Sequence, residues 1–289
     1  MRRLTHTATK DDDGRQIKYI LRQNLGVSAA VLTRLKKSSD GIKLNGKAAF
    51  ATHRVNCGDV IEITLSDERS PNIVASDIPL NIIYEDDDML VVNKPHSMPT
   101  HPSQNHHDDT LANAVMGYYK DADFTFRVIT RLDRDTSGVV VIAKNKISAS
   151  HLTNQMTQGG IKKEYVALCH GCPENQSGTI CAPIARKAGS AILREVSPSG
   201  KHAETEYEVL QKRGELSYVR LFPLTGRTHQ IRVHLSHIGT PIYGDDLYGS
   251  CIVGERVRLH CRSISLVHPI KGEELTFEAP VPCDMNISE

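Results

Sequence analysis

Two short segments concentrate the residue types that carry chemistry. The first is Arg131-Leu132-Asp133-Arg134-Asp135-Thr136-Ser137-Gly138, which runs into the apolar stretch Val139-Val140-Val141-Ile142-Ala143. Charges packed this closely beside a strand that must be buried need partners, and a carboxylate held between guanidiniums stays ionised. By itself the segment reads equally well as a salt-bridged turn. The second is Leu224-Thr225-Gly226-Arg227-Thr228-His229-Gln230-Ile231-Arg232-Val233-His234-Leu235. Thr228 is expected to cap a helix whose apolar face is Ile231, Leu235 and Ile238, at i, i+4 and i+7, while His229 and Arg232 share another face. A turn and helix start offering arginines and histidines together suit phosphates or a catalytic carboxylate. A Gly/Pro/Tyr-rich loop, 239–249, follows.

The elements that must position these residues belong to an α+β domain beginning near Ile78 and built on a mixed, largely antiparallel sheet. Residues 80–84 and 89–93, separated by Asp86-Asp87-Asp88, read as a hairpin. Residues 203–209 alternate small or apolar with acidic side chains, the mark of a half-buried antiparallel strand. Further strands are expected at 139–143, 165–169, 216–222 and 274–278, with helices at 111–119, 148–157 and 229–238. Residues 67–78, polar and holding Pro71, read as a linker.

Ahead of the linker, residues 14–66 read as a small α/β module. An opening helix spans 15–24, Ser28 caps a second helix through Val31, Leu32 and Leu35, Asn45-Gly46 makes a type I′ hairpin turn, and 60–63 closes the sheet. The overall charge is +1, but residues 1–75 carry 13 Lys/Arg against 8 Asp/Glu, so the module is the more cationic part. Arg34, Lys36, Lys37 and Lys43 are its candidate phosphate contacts. The module resembles the S-four-like RNA-binding fold, although its first helix lacks the usual Arg-Leu-Asp start.

Composition excludes several classes. Hydrophobic content of 39% and charged content of 24% fit a soluble globular protein, with no apolar run of membrane-spanning length. The N-terminus has basic residues without an apolar core behind them, so the chain is expected in the cytoplasm. The seven cysteines (57, 169, 172, 181, 251, 261 and 283) are odd in number and expected to be reduced.

The two chemical segments, with Lys163-Glu164-Tyr165-Val166-Ala167-Leu168 between them, resemble the three signature motifs of the RluA-type RNA pseudouridine synthases, in the family's order and spacing. Asn93-Lys94-Pro95, His101-Pro102, Thr110-Leu111, and Gly200-Lys201 with Ala203 and Thr205 extend the resemblance over about 80–280. It implies the pseudouridine synthase fold for 78–285 and an S-four-like RNA-binding domain over 1–70. Asp133 would be the catalytic aspartate, and Tyr165 would stack on the target uracil and assist proton removal from its carbon. Arg232 would pair with Asp133, and Arg131 would fill the gap left by the flipped nucleotide. Arg227, His229 and Gln230 would support the helix start or contact the RNA backbone. Two positions depart from the family: Thr130 stands where it has His, and His96 where it has a small residue or proline.

The implied reaction breaks a glycosidic bond, rotates the uracil and forms a carbon–carbon bond without net redox change, so no metal or cofactor is expected. Structured RNA is the expected partner, ribosomal RNA ahead of transfer RNA, and the protein is expected to act as a monomer. Three other readings compete. Asp135-Thr136-Ser137-Gly138 echoes an aspartic protease, but such a site needs two carboxylates and the motif occurs once. Cys169, Cys172 and Cys181, or His96, His101, His106 and His107 with Asp108 and Asp109, could be drawn as zinc ligands, yet no second Cys-x-x-Cys appears. A non-catalytic RNA-binding or ribosomal-RNA chaperone protein on the same fold would not require Asp133, Tyr165 and Arg232 together.

Overall fold

The structure, a computed structural model, describes residues 2–70, 72–249 and 255–285; Met1, Pro71 and Cys251 lie outside the described residues. The chain opens with β1 (Arg2–Thr7), then α1 (Ile17–Gln23), α2 (Ala29–Leu35), β2 (Ile42–Leu44), β3 (Lys47–Ala48) and β4 (Val60–Leu65). Ser28 caps α2 by accepting from the Val31 amide at 3.3 Å, and Asn45 and Gly46 turn the β2–β3 hairpin with φ of 51° and 78°, as a type I′ turn demands. The small sheet has the order β1-β4-β2-β3 and closes over Ile17, Ile20, Leu21, Leu32, Ile61 and Ile63. Strand β1 was not anticipated. Its Arg-Arg-Leu-Thr-His-Thr sequence has a single buried side chain, Leu4, and carries no apolar alternation, so only the six-residue ladder to β4 reveals it.

The second part comprises β5 (Ile82–Glu85), β6 (Met89–Lys94), α3 (Leu111–Tyr118), β7 (Ser137–Ala143), α4 (Lys146–Thr157), β8 (Lys162–His170), β9 (Ser177–Cys181), β10 (Ile184–Arg186), β11 (Arg194–Val196), β12 (Glu204–Arg213), β13 (Leu216–Pro223), α5 (Gln230–His237), β14 (Leu259–Val267) and β15 (Glu274–Glu278). Nine strands form one sheet in the order β5-β6-β7-β14-β8-β13-β12-β9, with β15 on β14, and β10–β11 form a separate hairpin. Every pairing is antiparallel except β7–β14, which makes the sheet mixed and largely antiparallel as expected. The apolar β7 is buried at every residue, and β12 turns Thr205 and Val209 inward while its glutamates face out. Strands β9, β10, β11 and β14 were not anticipated; β14 in particular, Leu-His-Cys-Arg-Ser-Ile-Ser-Leu-Val, mixes polar and apolar residues without a clean period of two.

One row of paired residues crosses five strands of this sheet: Lys94 of β6, Gly138 of β7, Cys261 of β14, Tyr165 of β8 and Leu221 of β13. A one-residue slip of any strand would flip its side chains to the other face and separate them. Gly138 is required in this row. Its φ is +117°, and a Cβ there would sit 2.1 Å from the Cys261 carbonyl oxygen.

The two parts touch. Arg2 reaches across to Asp88 at 2.8 Å and Asp87 at 2.9 Å, and Ile147 of α4 is buried in the small core. The segment read as a linker is strapped down: Asp67 holds Arg127 through two hydrogen bonds of 2.7 and 2.8 Å, and Ser70 bonds Phe124 and Phe126 backbone. Among the described residues no helix is long and apolar enough to cross a membrane.

Candidate active site

Asp133 lies in the turn leading into β7, its side chain 22% exposed. The turn is anchored from below. Thr136 N–H donates to the Asp133 carbonyl at 3.2 Å and Thr100 Oγ1 to the Leu132 carbonyl at 2.7 Å. Lys94 is fully buried and spends its three N–H donors on the carbonyls of Pro95, Met98 and Arg134 at 2.8, 2.8 and 3.1 Å. Burial pushes this lysine down to about 7, against the pull of the Asp135 and Asp133 carboxylates. Ser137 shares a 2.9 Å hydrogen bond with His260 Nδ1, whose burial lowers that histidine to about 4. Arg134 does not face Asp133; it grips Asp135 with two hydrogen bonds of 3.0 and 3.1 Å. Arg131 is exposed beside the site.

Thr130, in the position that departs from the resembled family, is buried, and its hydroxyl accepts from the Val141 amide at 2.9 Å. It therefore knits the start of the Asp133 turn onto β7. His96 Nδ1 shares a hydrogen bond with its neighbour Ser97, at 3.0 Å.

Tyr165 is 8% exposed, and burial, with the Cys261 thiol and Asp133 nearby, raises its phenol well above the ordinary value. It is a neutral, mostly apolar surface at this site. Arg232 on α5 is 3% exposed and lies 3.9 Å from Asp133 Oδ2. Its strong bond goes elsewhere: Nε and Nη2 each donate to Asp245 at 2.7 Å, and Asp245 is fully buried. The Tyr248 ring packs over the same guanidinium at 5.2 Å. His229 Nε2 is 4.0 Å from Asp133 Oδ2. The expected pairing of Arg232 with Asp133 is thus a loose contact beside a tight Arg232–Asp245 pair.

The start of α5 corrects one expectation. Thr228 is not the N-cap; His229 is, in the left-handed region with φ 56° and ψ 21° and no side-chain cap. Gln230 folds back instead. Its Oε1 accepts from Thr225 Oγ1 at 2.7 Å and from the Arg227 amide at 3.0 Å, and its Nε2 donates to the Glu204 carbonyl and Thr205 Oγ1, both at 2.9 Å. A buried amide whose ends are both used inside the protein closes the turn more completely than a threonine hydroxyl could. Gln230 therefore supports the helix start, and Arg227, which donates to the His202 carbonyl at 2.8 Å, remains exposed.

The other basic residues singled out in the sequence lie on the small module and not with Asp133. Lys36 and Lys37 are exposed at the end of α2, Arg34 stands 3.9 Å from Glu68, and Lys43 3.1 Å from Asp40. Cys169 is buried, and burial raises its thiol further. Asp86, Asp88 and His268 cluster, but Asp86 already holds Tyr84, His268 and Lys271, and Asp88 holds Arg2, Asn145 and Ser148. Sequence reasoning missed Asp245 and Tyr248. The signal was present in the second segment: an arginine on a helix face that must be buried requires a buried acid, and Asp245 lies thirteen residues on, in the loop already marked by its glycines and tyrosines.

Residues 88–237 match the family model described as RNA pseudouridylate synthase. The uncharacterized RNA pseudouridine synthase YjbO of Bacillus subtilis is 37% identical over 267 residues, 91% of this chain and 94% of its own. The ribosomal large subunit pseudouridine synthase D of Haemophilus ducreyi is 36% identical over 264 residues, 85% of this chain and 81% of its own. The solved structure of human RNA pseudouridylate synthase domain containing 1 superposes with a TM-score of 0.61 at 29% identity, covering 72% of this chain and 86% of that one. A turn-borne aspartate, a buried tyrosine and a buried arginine gathered from three elements, on a chain with these likenesses along most of its length, place the protein in the RNA pseudouridylate synthase family, enzymes that isomerise uridine to pseudouridine in RNA.

Proposed function

We propose that this synthase acts on specific uridines of structured ribosomal RNA in the cytoplasm, as a monomer, with Asp133 as its catalytic residue. One observation carries the assignment: Asp133 is the carboxylate that a buried guanidinium, Arg232, and a half-buried imidazole, His229, both approach to within 4.0 Å while keeping part of its surface open. A carboxylate so placed can add to the ribose C1′ or stabilise its cationic or dehydrated form as the N1–C1′ bond breaks. The uracil then turns, C5 bonds to C1′, the C5 proton passes to solvent and N1 takes one from solvent, so atoms and charge balance without a redox partner. Tyr165 supplies the stacking surface for the freed base, and its neutral phenol keeps a proton to share. Arg131, exposed next to Asp133, is placed to enter the RNA stack where the nucleotide has left, offsetting a flipping cost of a few kcal/mol. Arg227 would contact the backbone at the same mouth.

The same proposal divides the chain into an S-four-like RNA-binding domain over 1–70 and a catalytic domain over 78–285. Support comes from the separate apolar cores of the two parts and from the exposed Arg34, Lys36 and Lys37 on the small one. The ribosomal preference rests on the likeness to large-subunit synthases over most of both chains. Carbodiimide-dependent primer extension on total RNA, from cells with and without the protein, tests it. A stop in ribosomal RNA present only with the protein is expected. A protein-dependent stop confined to transfer RNA overturns the substrate assignment.

A further inference from the structure

Tyr248 stands at the crossing of three groups. Its hydroxyl accepts from the Arg194 amide at 3.0 Å and lies 2.7 Å from His229 Nδ1, and its ring covers the Arg232 guanidinium. A phenol has one proton to give. Burial raises the Tyr248 phenol, so the proton stays on the oxygen. With the Arg194 N–H already on that oxygen and His229 Nδ1 2.7 Å away, the hydroxyl proton can point at Nδ1. An imidazole that accepts at Nδ1 carries its own proton on Nε2, and Nε2 is the atom that faces Asp133 at 4.0 Å. We propose that Tyr248 is a positioning residue of the synthase: it holds His229 in the tautomer that presents Nε2–H to the Asp133 carboxylate, and ties that arrangement to the β10–β11 hairpin through Arg194.

Three features agree with this. His229 adopts a left-handed backbone that a non-glycine residue takes up only under constraint, and that backbone is what aims its ring between Tyr248 and Asp133. Burial lowers the histidine, with Asp133 and Asp245 pulling it up and Arg232 and Arg194 pushing it down, so the neutral form that needs a defined tautomer is the one present. The 4.0 Å gap is longer than a hydrogen bond, and the contact forms only if substrate binding shortens it, as happens to catalytic contacts left long in a free enzyme. Held by the Nε2–H, Asp133 keeps one oxygen directed at the sugar and the other occupied.

The inference rests on Asp133 as the catalytic residue, and the test separates the two. Tritium released from RNA labelled at uridine C5 reports the reaction, with deproteinised total RNA from cells lacking the protein as probe. Rates at saturating enzyme and apparent KM are measured for wild type, Tyr248→Phe, His229→Asn, their combination, and Asp133→Asn. Asparagine tolerates the left-handed backbone, so His229→Asn removes the imidazole while leaving the turn in place. Tyr248→Phe and His229→Asn are each expected to lose roughly tenfold in rate, the worth of one hydrogen bond, with KM unchanged, whereas Asp133→Asn should lose the reaction altogether. The double variant should be no slower than His229→Asn alone, because Tyr248 acts through the histidine. A Tyr248→Phe enzyme as fast as wild type overturns the proposal. So does a Tyr248→Phe loss that persists at full size in the His229→Asn background, which would mean that the hydroxyl serves only the hairpin. Full activity in Asp133→Asn would instead overturn the assignment of Asp133, and this proposal with it.

Discussion

Replacing Asp245 with alanine probes how the site is held. Arg232 is 3% exposed and Asp245 fully buried, and two 2.7 Å hydrogen bonds join them. Removing one partner of a buried pair strands the other charge, at a cost of about 3–5 kcal/mol. Asp245 Oδ1 also accepts from the amides of Leu247 and Tyr248 at 3.1 and 3.2 Å, adding about 1 kcal/mol for the lost turn. For a protein of this size that total corresponds to a fall in Tm of roughly 8–20 °C. The freed guanidinium, already 3.9 Å from Asp133, is expected to swing onto it and draw it into a tight ion pair, so activity falls at least about tenfold even where the protein is folded. Urea denaturation followed by circular dichroism gives the stability, and tritium release gives the rate. The companion variant Arg232→Met with Asp245→Leu replaces the pair with apolar groups of similar size; it should recover stability to within about 1 kcal/mol of wild type yet stay inactive. Loss of less than about 1 kcal/mol in Asp245→Ala, or full activity in the apolar double variant, would refute the reasoning.

Three further outcomes are expected. Gly138→Ala should fail to accumulate folded protein or melt more than about 10 °C lower, since its Cβ would meet the Cys261 carbonyl at 2.1 Å; thermal melts check this. Thr130→Val should cost about 1–3 kcal/mol in urea titrations, because it strips the buried Val141 amide of its 2.9 Å acceptor, whereas Thr130→Ser should be close to neutral. Asp12, in the small module, is pushed up by burial but held down more strongly by hydrogen bonds from Thr9, His6 and Asn24, to about 2. A carboxyl lowered from 3.8 contributes stability that is complete above pH 3.8 and disappears as pH falls to about 2. The shift corresponds to roughly 1–2 kcal/mol after allowing for water close to this thin module, so Asp12→Asn should flatten that part of an acid titration followed by fluorescence or circular dichroism.

The sequence showed most clearly what is local and periodic. The β5–β6 hairpin, the buried run of β7, the acidic alternation of β12, the Ser28 cap and the Asn45-Gly46 turn each carry their signal within a few residues, and each forms where expected. The elements that escaped are those whose reason lies elsewhere in the chain. Strand β1 forms because β4 offers an edge, and β14 because β7, β8 and β15 surround it. The cap of α5 was assigned to Thr228 by the usual preference for a hydroxyl, but Gln230, reaching back to Thr225 and Arg227, satisfies the turn from inside the helix. The same limit applies to the site. Asp133, Arg232 and His229 could be picked out by type and spacing and Tyr165 through the resemblance to the family's motifs, and the register row from Lys94 to Leu221 explains how strands far apart in sequence bring Tyr165 alongside the Asp133 turn. That Arg232 is gripped by Asp245, and His229 by Tyr248, required the loop after α5 to be folded back onto the helix.

The central claim is that the Asp133 carboxylate performs the isomerisation. Its most direct test is single-turnover tritium release by purified wild type and Asp133→Asn, on the RNA in which primer extension locates the protein-dependent pseudouridine. Wild type should convert that uridine, while Asp133→Asn, equally stable to heat and equally able to bind the RNA, should release no tritium above background. Conversion by Asp133→Asn at a rate near that of wild type would contradict the account.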